Sequence, residues 1–185
     1  MINKLNFLNN NSITKNDNFQ FDLSSIAKGY AVDLISNLLI RSNRNNYLID
    51  IGGEIIVNGS KHGEPWTVGI QSPSAVNNLS DTQIRSNKFL AIATSGEYRN
   101  FKLNDNGAVT SHTFIPEIQK SLIDKSYSVT VVSEKSSMSA DAWATALNAL
   151  GPNKGIKIAN EHNISVMYIM QDNMMIKSNN WNYND

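Results

Sequence analysis

The 185-residue chain is long enough for one ordinary domain and short for two. Apolar residues make up 41% and charged residues 17%, the balance of a folded chain, and 16 basic side chains offset 16 acidic ones, so no global field favours nucleic acid or an acidic membrane. The absence of cysteine excludes a disulfide framework, a thiolate nucleophile and a thiolate zinc site.

Residues 1–19 are polar and asparagine-rich, and read as a frayed start or a short edge strand. No apolar run reaches the ~18 residues needed to span a bilayer, and Met1 to Gln20 lacks the basic start and apolar core of a signal peptide. Phe19-Gln20-Phe21 alternates like a strand and runs into Asp22-Leu23-Ser24-Ser25. Ala27, Tyr30, Ala31, Leu34, Ile35, Leu38 and Leu39 then recur at helical spacing, which predicts an amphipathic helix capped by Ser24 or Ser25.

Tyr47 to Ile51 reads as a strand closed by a tight turn or bulge at Gly52-Gly53. Ile55-Ile56-Val57 and Trp66 to Ile70 read as further strands, with Asn58-Gly59 as the turn signal between them. Ser72 to Asn87 is polar and turn-like, and Phe89 to Ala93 returns to a buried strand. Tyr127 to Val132 predicts another strand, and Ala140 to Leu150 a helix stopped by Gly151-Pro152. A short helix over Asn153 to Glu161, a strand over Ile164 to Met170 and a C-terminal hairpin through Asp172-Asn173 complete the chain. Strands in runs with few helices between them predict an α+β fold, a mixed or antiparallel sheet with a few packed helices.

Four features carry chemistry. Lys28 falls in the first turns of the predicted helix, where a cation opposes the helix dipole. Such a lysine is ordinarily solvated, but with free backbone N–H groups and Gly29 beside it, it can converge on a phosphate. Asp141 and Thr145, four residues apart, share one helix face and are hard oxygen donors of the kind magnesium takes; taken alone, they read rather as a first-turn charge and a packing residue. Thr94-Ser95-Gly96 leads through Glu97 and Tyr98 to Arg99, a small-residue loop ending in a cation. His112 is a single histidine, and the three histidines match no metal-ligand spacing.

Their order along the chain is more informative than any one of them. Asp22 to Asp33 reads D-L-S-S-I-A-K-G-Y-A-V-D, which resembles the D-L-G-G-I-A-K-G-Y-A-V-D segment of the ApbE family of flavin transferases. Ile51-Gly52-Gly53-Glu54, Pro65 to Ile70, Thr94 to Phe101, Ser111-His112, Ser128 to Val131 and Ala140 to Leu147 follow as further landmarks in family order. The resemblance implies cleavage of FAD between its two phosphates and transfer of FMN to a threonine or serine hydroxyl of an acceptor flavoprotein, with AMP released. FAD and Mg2+ are the implied ligands. Asp22 and Lys28 would contact FAD, and Thr113 would line the flavin site. Ser25, through its backbone, would hold the metal with Asp141, Ala144 and Thr145, and His112 would accept the proton. Alternatives are an FAD pyrophosphatase and a catalytically inactive flavin- or partner-binding module.

This chain departs from the family in two places. Only 21 residues precede the D-L-S-S-I-A-K-G segment, where the family has a much longer stretch. The chain therefore reads as the C-terminal portion of a member, with residues 1–20 a polar segment, 21–178 the domain and 179–185 a polar tail. A full-length member is expected in the periplasm or cell envelope as a lipoprotein. The family's H-x-I-D-P-x-T-G is here His112-Thr113-Phe114-Ile115-Pro116-Glu117-Ile118-Gln119, which replaces its aspartate by Ile115 and loses its glycine.

Overall fold

The computed structural model describes residues 5–8, 12–15, 21–73, 82–96, 101–103, 109–111, 114–115, 120–121 and 127–183. In chain order the strands are β1 (Leu5–Leu8), β2 (Ser12–Lys15), β3 (Tyr47–Ile51), β4 (Glu54–Asn58), β5 (Ser60–Lys61), β6 (Glu64–Ile70), β7 (Thr82–Ser86), β8 (Leu90–Ser95), β9 (Phe101–Leu103), β10 (Val109–Ser111), β11 (Phe114–Ile115), β12 (Lys120–Ser121), β13 (Tyr127–Ser133), β14 (Ser165–Met170) and β15 (Met175–Lys177). Helix α1 spans Ser24–Arg41 and helix α2 spans Ser137–Glu161. A six-stranded sheet in the order β15-β14-β13-β8-β4-β3 pairs antiparallel throughout, and β5-β6-β7 form a three-stranded antiparallel sheet. The chain is α+β, as its sequence predicts.

The central strands are nearly all apolar because both faces of the large sheet are covered. Along β8 and β14, Ala91, Ala93, Val166 and Tyr168 point to the helices, while Leu90, Ile92, Met167 and Ile169 face Val68, Ile70 and Ile84 of the small sheet. Period-two alternation thus feeds two cores at once, giving three layers: helices, large sheet, small sheet.

Several expectations need correction. Asn58-Gly59 is not a hairpin turn: it marks where the chain leaves β4, and the turn of the next hairpin is His62-Gly63, with φ +53° and +92°. The segment read as polar and turn-like holds β7, whose Thr82 and Ile84 are buried. Gly151, by contrast, ends a helical stretch as predicted: its φ of +73° and ψ of 167° are non-helical, so α2 consists of two helical stretches that meet at a kink there. Phe21 carries no strand, and Phe19 and Gln20 lie outside the described residues. At the C-terminus, the stretch set apart as a polar tail contributes Trp181, which is buried in the core against the small sheet.

Candidate active site

Helix α1 begins without a serine cap. Leu23 occupies the N-cap position with no side-chain bond, and Asp22 Oδ1 accepts instead from the Ser24 N–H at 2.8 Å. That donor is one of the orphan amides of the helix start, and it holds the exposed Asp22 carboxyl below its usual range.

The buried stripe of α1 also differs from the predicted one. Gly29, Val32 and Ser36 face inward, whereas Tyr30, Leu34 and Leu38 are 52%, 51% and 63% exposed. The inward positions are small because α1 crosses α2 at backbone contact. A Cβ built on Gly29 would stand 2.5 Å from Ser137 O and 2.7 Å from Met138 Cα. That close approach lets the Gly29 N–H donate to Asp141 Oδ2 at 3.0 Å, across 112 residues of chain.

The third contributor is the β3–β4 hairpin. Gly52 and Gly53 both take positive φ, +61° and +98°, the two-residue turn in which a glycine pair is at home, and the Gly53 N–H donates to Asp50 Oδ1 at 2.9 Å. The turn lies under Lys28: a Cβ on Gly52 would be 3.7 Å from Lys28 Cδ. It delivers Glu54 as the first residue of β4, 2% exposed, where Glu54 Oε2 pairs with Lys28 Nζ at 2.6 Å.

Lys28, Glu54 and Asp141 therefore form one electrostatic group. Burial pushes the Glu54 carboxyl above its usual range; Lys28 opposes the shift and the Asp141 charge adds to it. Burial also raises Asp141, opposed by the Gly29 N–H and by Lys28. Two acids and one base leave the group one negative charge in excess when all are ionised.

The structure thus brings Lys28 and Asp141, two residues that the resemblance singles out, into one electrostatic group. Ser25 lies one turn before Gly29 on α1, and Ala144 and Thr145 lie one turn beyond Asp141 on α2, Ala144 buried and Thr145 half-buried. Asp22 sits at the exposed start of α1, engaged with Ser24. His112 and Thr113 fall outside the described residues, as does Arg99. Trp143 packs against the α2 core and the His162 ring, 5.3 Å between centroids, in keeping with its reading as a core residue.

Sequence reasoning missed Glu54 and Asp33 as members of this assembly. Glu54 was discoverable: it alternates in phase with Ile56, so the face that buries Ile56 buries it too. Asp33, on α1, accepts from the Ser137 and Met138 N–H groups at 2.8 and 3.0 Å and from Ser136 Oγ at 2.7 Å, closing the first turn of α2 from a different helix.

Several known proteins are similar to this chain. The ApbE family model matches residues 2–169. A relative from Vibrio cholerae, named FAD:protein FMN transferase, is 38% identical over 151 residues, 81% of this chain and 44% of the relative. One from Escherichia coli K12 with the same name is 32% identical over 158 residues, 85% of this chain and 44% of the relative. The chain thus spans less than half the length of these relatives. Among solved structures, the flavin transferase ApbE from Vibrio cholerae superposes with a TM-score of 0.79 at 33% identity, covering 98% of this chain and 58% of that one. The ApbE protein of Thermotoga maritima, at 23% identity and a TM-score of 0.81 over 96% of this chain and 57% of that one, shares the fold. A family match over nearly the whole chain, agreeing with the fold and with the order of the sequence landmarks, means that the chain belongs to the ApbE family.

Proposed function

We propose that these residues form the metal- and pyrophosphate-handling part of an FAD:protein FMN transferase. The observation that carries the reading is the meeting of Lys28, Glu54 and Asp141, brought from α1, the β3–β4 turn and α2 by the Gly29–Asp141 bond and the Lys28–Glu54 pair.

The donor set fits Mg2+. Among the described residues no three His, Cys, Asp or Glu side chains form a cage, but magnesium commonly takes one or two carboxylates, with substrate phosphates and water completing its shell. Both acids are buried and raised, and the group carries an excess negative charge, so a cation relieves it. Ser137 Oγ, on the same α2 face one turn before Asp141, is buried with no hydrogen-bond partner among the described residues, a further oxygen short of a partner. Asp141, the Thr145 hydroxyl and the backbone at Ser25 and Ala144 would hold the ion. Asp141 draws the Gly29 N–H toward itself, and the Ser25 carbonyl is the regular helical acceptor of that same amide, so the two compete for it. When bound, the ion supplies charge neutralisation at the pyrophosphate oxygens.

In the proposed reaction an acceptor Thr or Ser oxygen attacks the flavin-side phosphorus of FAD. The phosphoanhydride bond breaks, AMP leaves with the bridging oxygen, and the hydroxyl proton passes to a base. Phosphoryl transfer of this kind asks the protein mainly for alignment and charge. Lys28, anchored by Glu54, orients a cation toward the pyrophosphate, and the resemblance supports His112 as the base.

Asp141→Asn keeps the side chain's shape and an acceptor for the Gly29 N–H while removing its charge. It should abolish Mg2+-dependent FAD turnover with an unchanged far-UV circular dichroism spectrum. Turnover is followed by AMP release and by mass spectrometry of a threonine-bearing acceptor. Normal turnover by the variant at saturating Mg2+ refutes the metal assignment, and AMP release with no change in acceptor mass identifies a pyrophosphatase.

A further inference from the structure

We infer that Asp33 is a positioning residue for Asp141, acting through the first turn of α2; in its consequences for ligand binding the inference rests on the functional reading above. The two helices exchange hydrogen bonds in both directions. From α1, the Asp33 carboxylate takes the Ser137 and Met138 amides and the Ser136 hydroxyl. From α2, Asp141 takes the Gly29 amide of α1. Asp33 lies one turn after Gly29 on α1, and Asp141 one turn after Ser137 on α2, so the contacts form a closed ring of two helical turns.

Local capping of α2 does not require Asp33. Ser136 is the N-cap residue, and its Oγ already accepts from the Ser139 N–H at 3.2 Å, the usual serine cap. What Asp33 adds is attachment. It fixes the Ser136 rotamer by accepting its hydroxyl proton, and it ties two further orphan amides of α2 to a carboxylate that belongs to α1. Position along the helix axis is thereby set at the N-terminus of α2, one turn from the carboxylate that the site uses. The contact geometry at Gly29 leaves no slack on that side, since backbone meets backbone there. Without the Asp33 tie, α2 keeps its own cap but can slide or lift at the crossing, and Asp141 moves with it.

Two variants separate capping from positioning. Asp33→Ala removes the tie. Asp33→Ala with Ser136→Asp returns a carboxylate to the N-cap and to the positive end of the α2 dipole, but on α2 itself, so helix stability recovers while the link to α1 does not. Melting temperature reports the cap. The 15N–1H resonance and hydrogen exchange of the Gly29 amide report the Asp141 bond directly, whatever the protein binds. Calorimetry with FAD and Mg2+ reports the consequence. In Asp33→Ala, Gly29 should lose protection and Mg2+-dependent FAD affinity should fall by about 10-fold or more, the scale for losing an outer partner of a metal ligand. In the double variant the melting temperature should recover, with the Gly29 amide and the affinity still altered. Recovery of all three overturns the inference and leaves Asp33 a cap, as does an unaltered Gly29 amide in Asp33→Ala. If Asp33→Ala does not fold, Asp33→Asn, which keeps one acceptor oxygen, supports the same comparison. Failure of the wild-type chain to bind FAD with Mg2+ refutes the functional reading, while the Gly29 amide still decides the role of Asp33.

Discussion

Lys28 shows how a neighbour reverses a local expectation. From the helix dipole alone, removing a cation near the N-terminus of α1 is neutral or stabilising by roughly 0.3–1 kcal/mol. The structure pairs that cation with Glu54, a carboxylate 2% exposed. Lys28→Gln therefore leaves a buried charge without its partner. Breaking a fully buried pair costs about 3–5 kcal/mol; Lys28 is 48% exposed and partly screened by water, so about 1–3 kcal/mol is expected. Glu54→Gln in the same chain should restore the melting temperature, because no buried charge is then left alone. The pH dependence has a definite sign. Glu54 and Asp141 titrate higher in the fold than in the unfolded chain, so the native state binds the extra protons. Their contribution to stability is full below the ordinary carboxylate range and is lost as pH rises through their folded values. Glu54→Gln should flatten that slope in thermal melts taken across the mildly acidic range. A slope as steep as wild type would show that Glu54 is not the buried acid described here. Under the proposed function, FAD should protect Lys28→Gln less than wild type against melting, since the proposed phosphate contact goes with the lysine.

At the scale of elements, the α1–α2 crossing depends on Gly29. Alanine is the better helix former by about 0.8–1 kcal/mol, so an open site would gain from Gly29→Ala. Here the new methyl meets the backbone at Ser137 and Met138, which cannot rotate away. The helices must part, the Asp141 bond lengthens, and a net loss of about 1–3 kcal/mol is expected in denaturant titrations. A stabilised variant would mean that the helices pack more loosely than this geometry. The same crossing explains what the sequence could and could not disclose. Helical spacing announces α1, yet its large apolar residues do not mark the inner face, because contact at backbone distance selects Gly29, Val32 and Ser36. β13 and β14 are legible as apolar runs, being buried on both sides, while β7 carries one large apolar residue among Thr, Gln, Arg and Ser and hides in a polar stretch. Lys28 and Asp141 were legible as motif residues; their juncture with Glu54 was not, since nothing local links residues 28, 54 and 141. The side chains of β9 to β12 and the His112 position lie outside the described residues, so that part of the sequence reading stands on the family landmarks alone.

At the scale of the molecule, three layers hold a charged corner, but FAD, the proposed ligand, asks for more than charge. FAD carries an isoalloxazine ring and an adenine, each of which binds well only when stacked or enclosed. The described site supplies a lysine and two acids, and the chain spans 44% of its Vibrio cholerae relative. Tyr30, Leu34 and Leu38 form an apolar stripe exposed along α1. These 185 residues, taken alone, should therefore keep the charge chemistry and lack part of the enclosing surface. Each buried aromatic contact is worth about 0.5–1.5 kcal/mol beyond area burial, so two or three fewer weaken binding by about one to three decades. The expected outcome is FAD affinity in the micromolar range or weaker, dependent on Mg2+, with slow but measurable FMN transfer. Calorimetry gives the affinity, and intact-mass analysis of a threonine-containing acceptor gives the transfer. Mg2+ dependence is the discriminating control: weak binding that ignores the metal points to adventitious stacking on the α1 stripe, and exchanging Tyr30 for serine should then remove it. Nanomolar binding with rapid acceptor labelling would show that the charged corner needs no further surface, and that α1 keeps its apolar stripe for some purpose other than completing the flavin site.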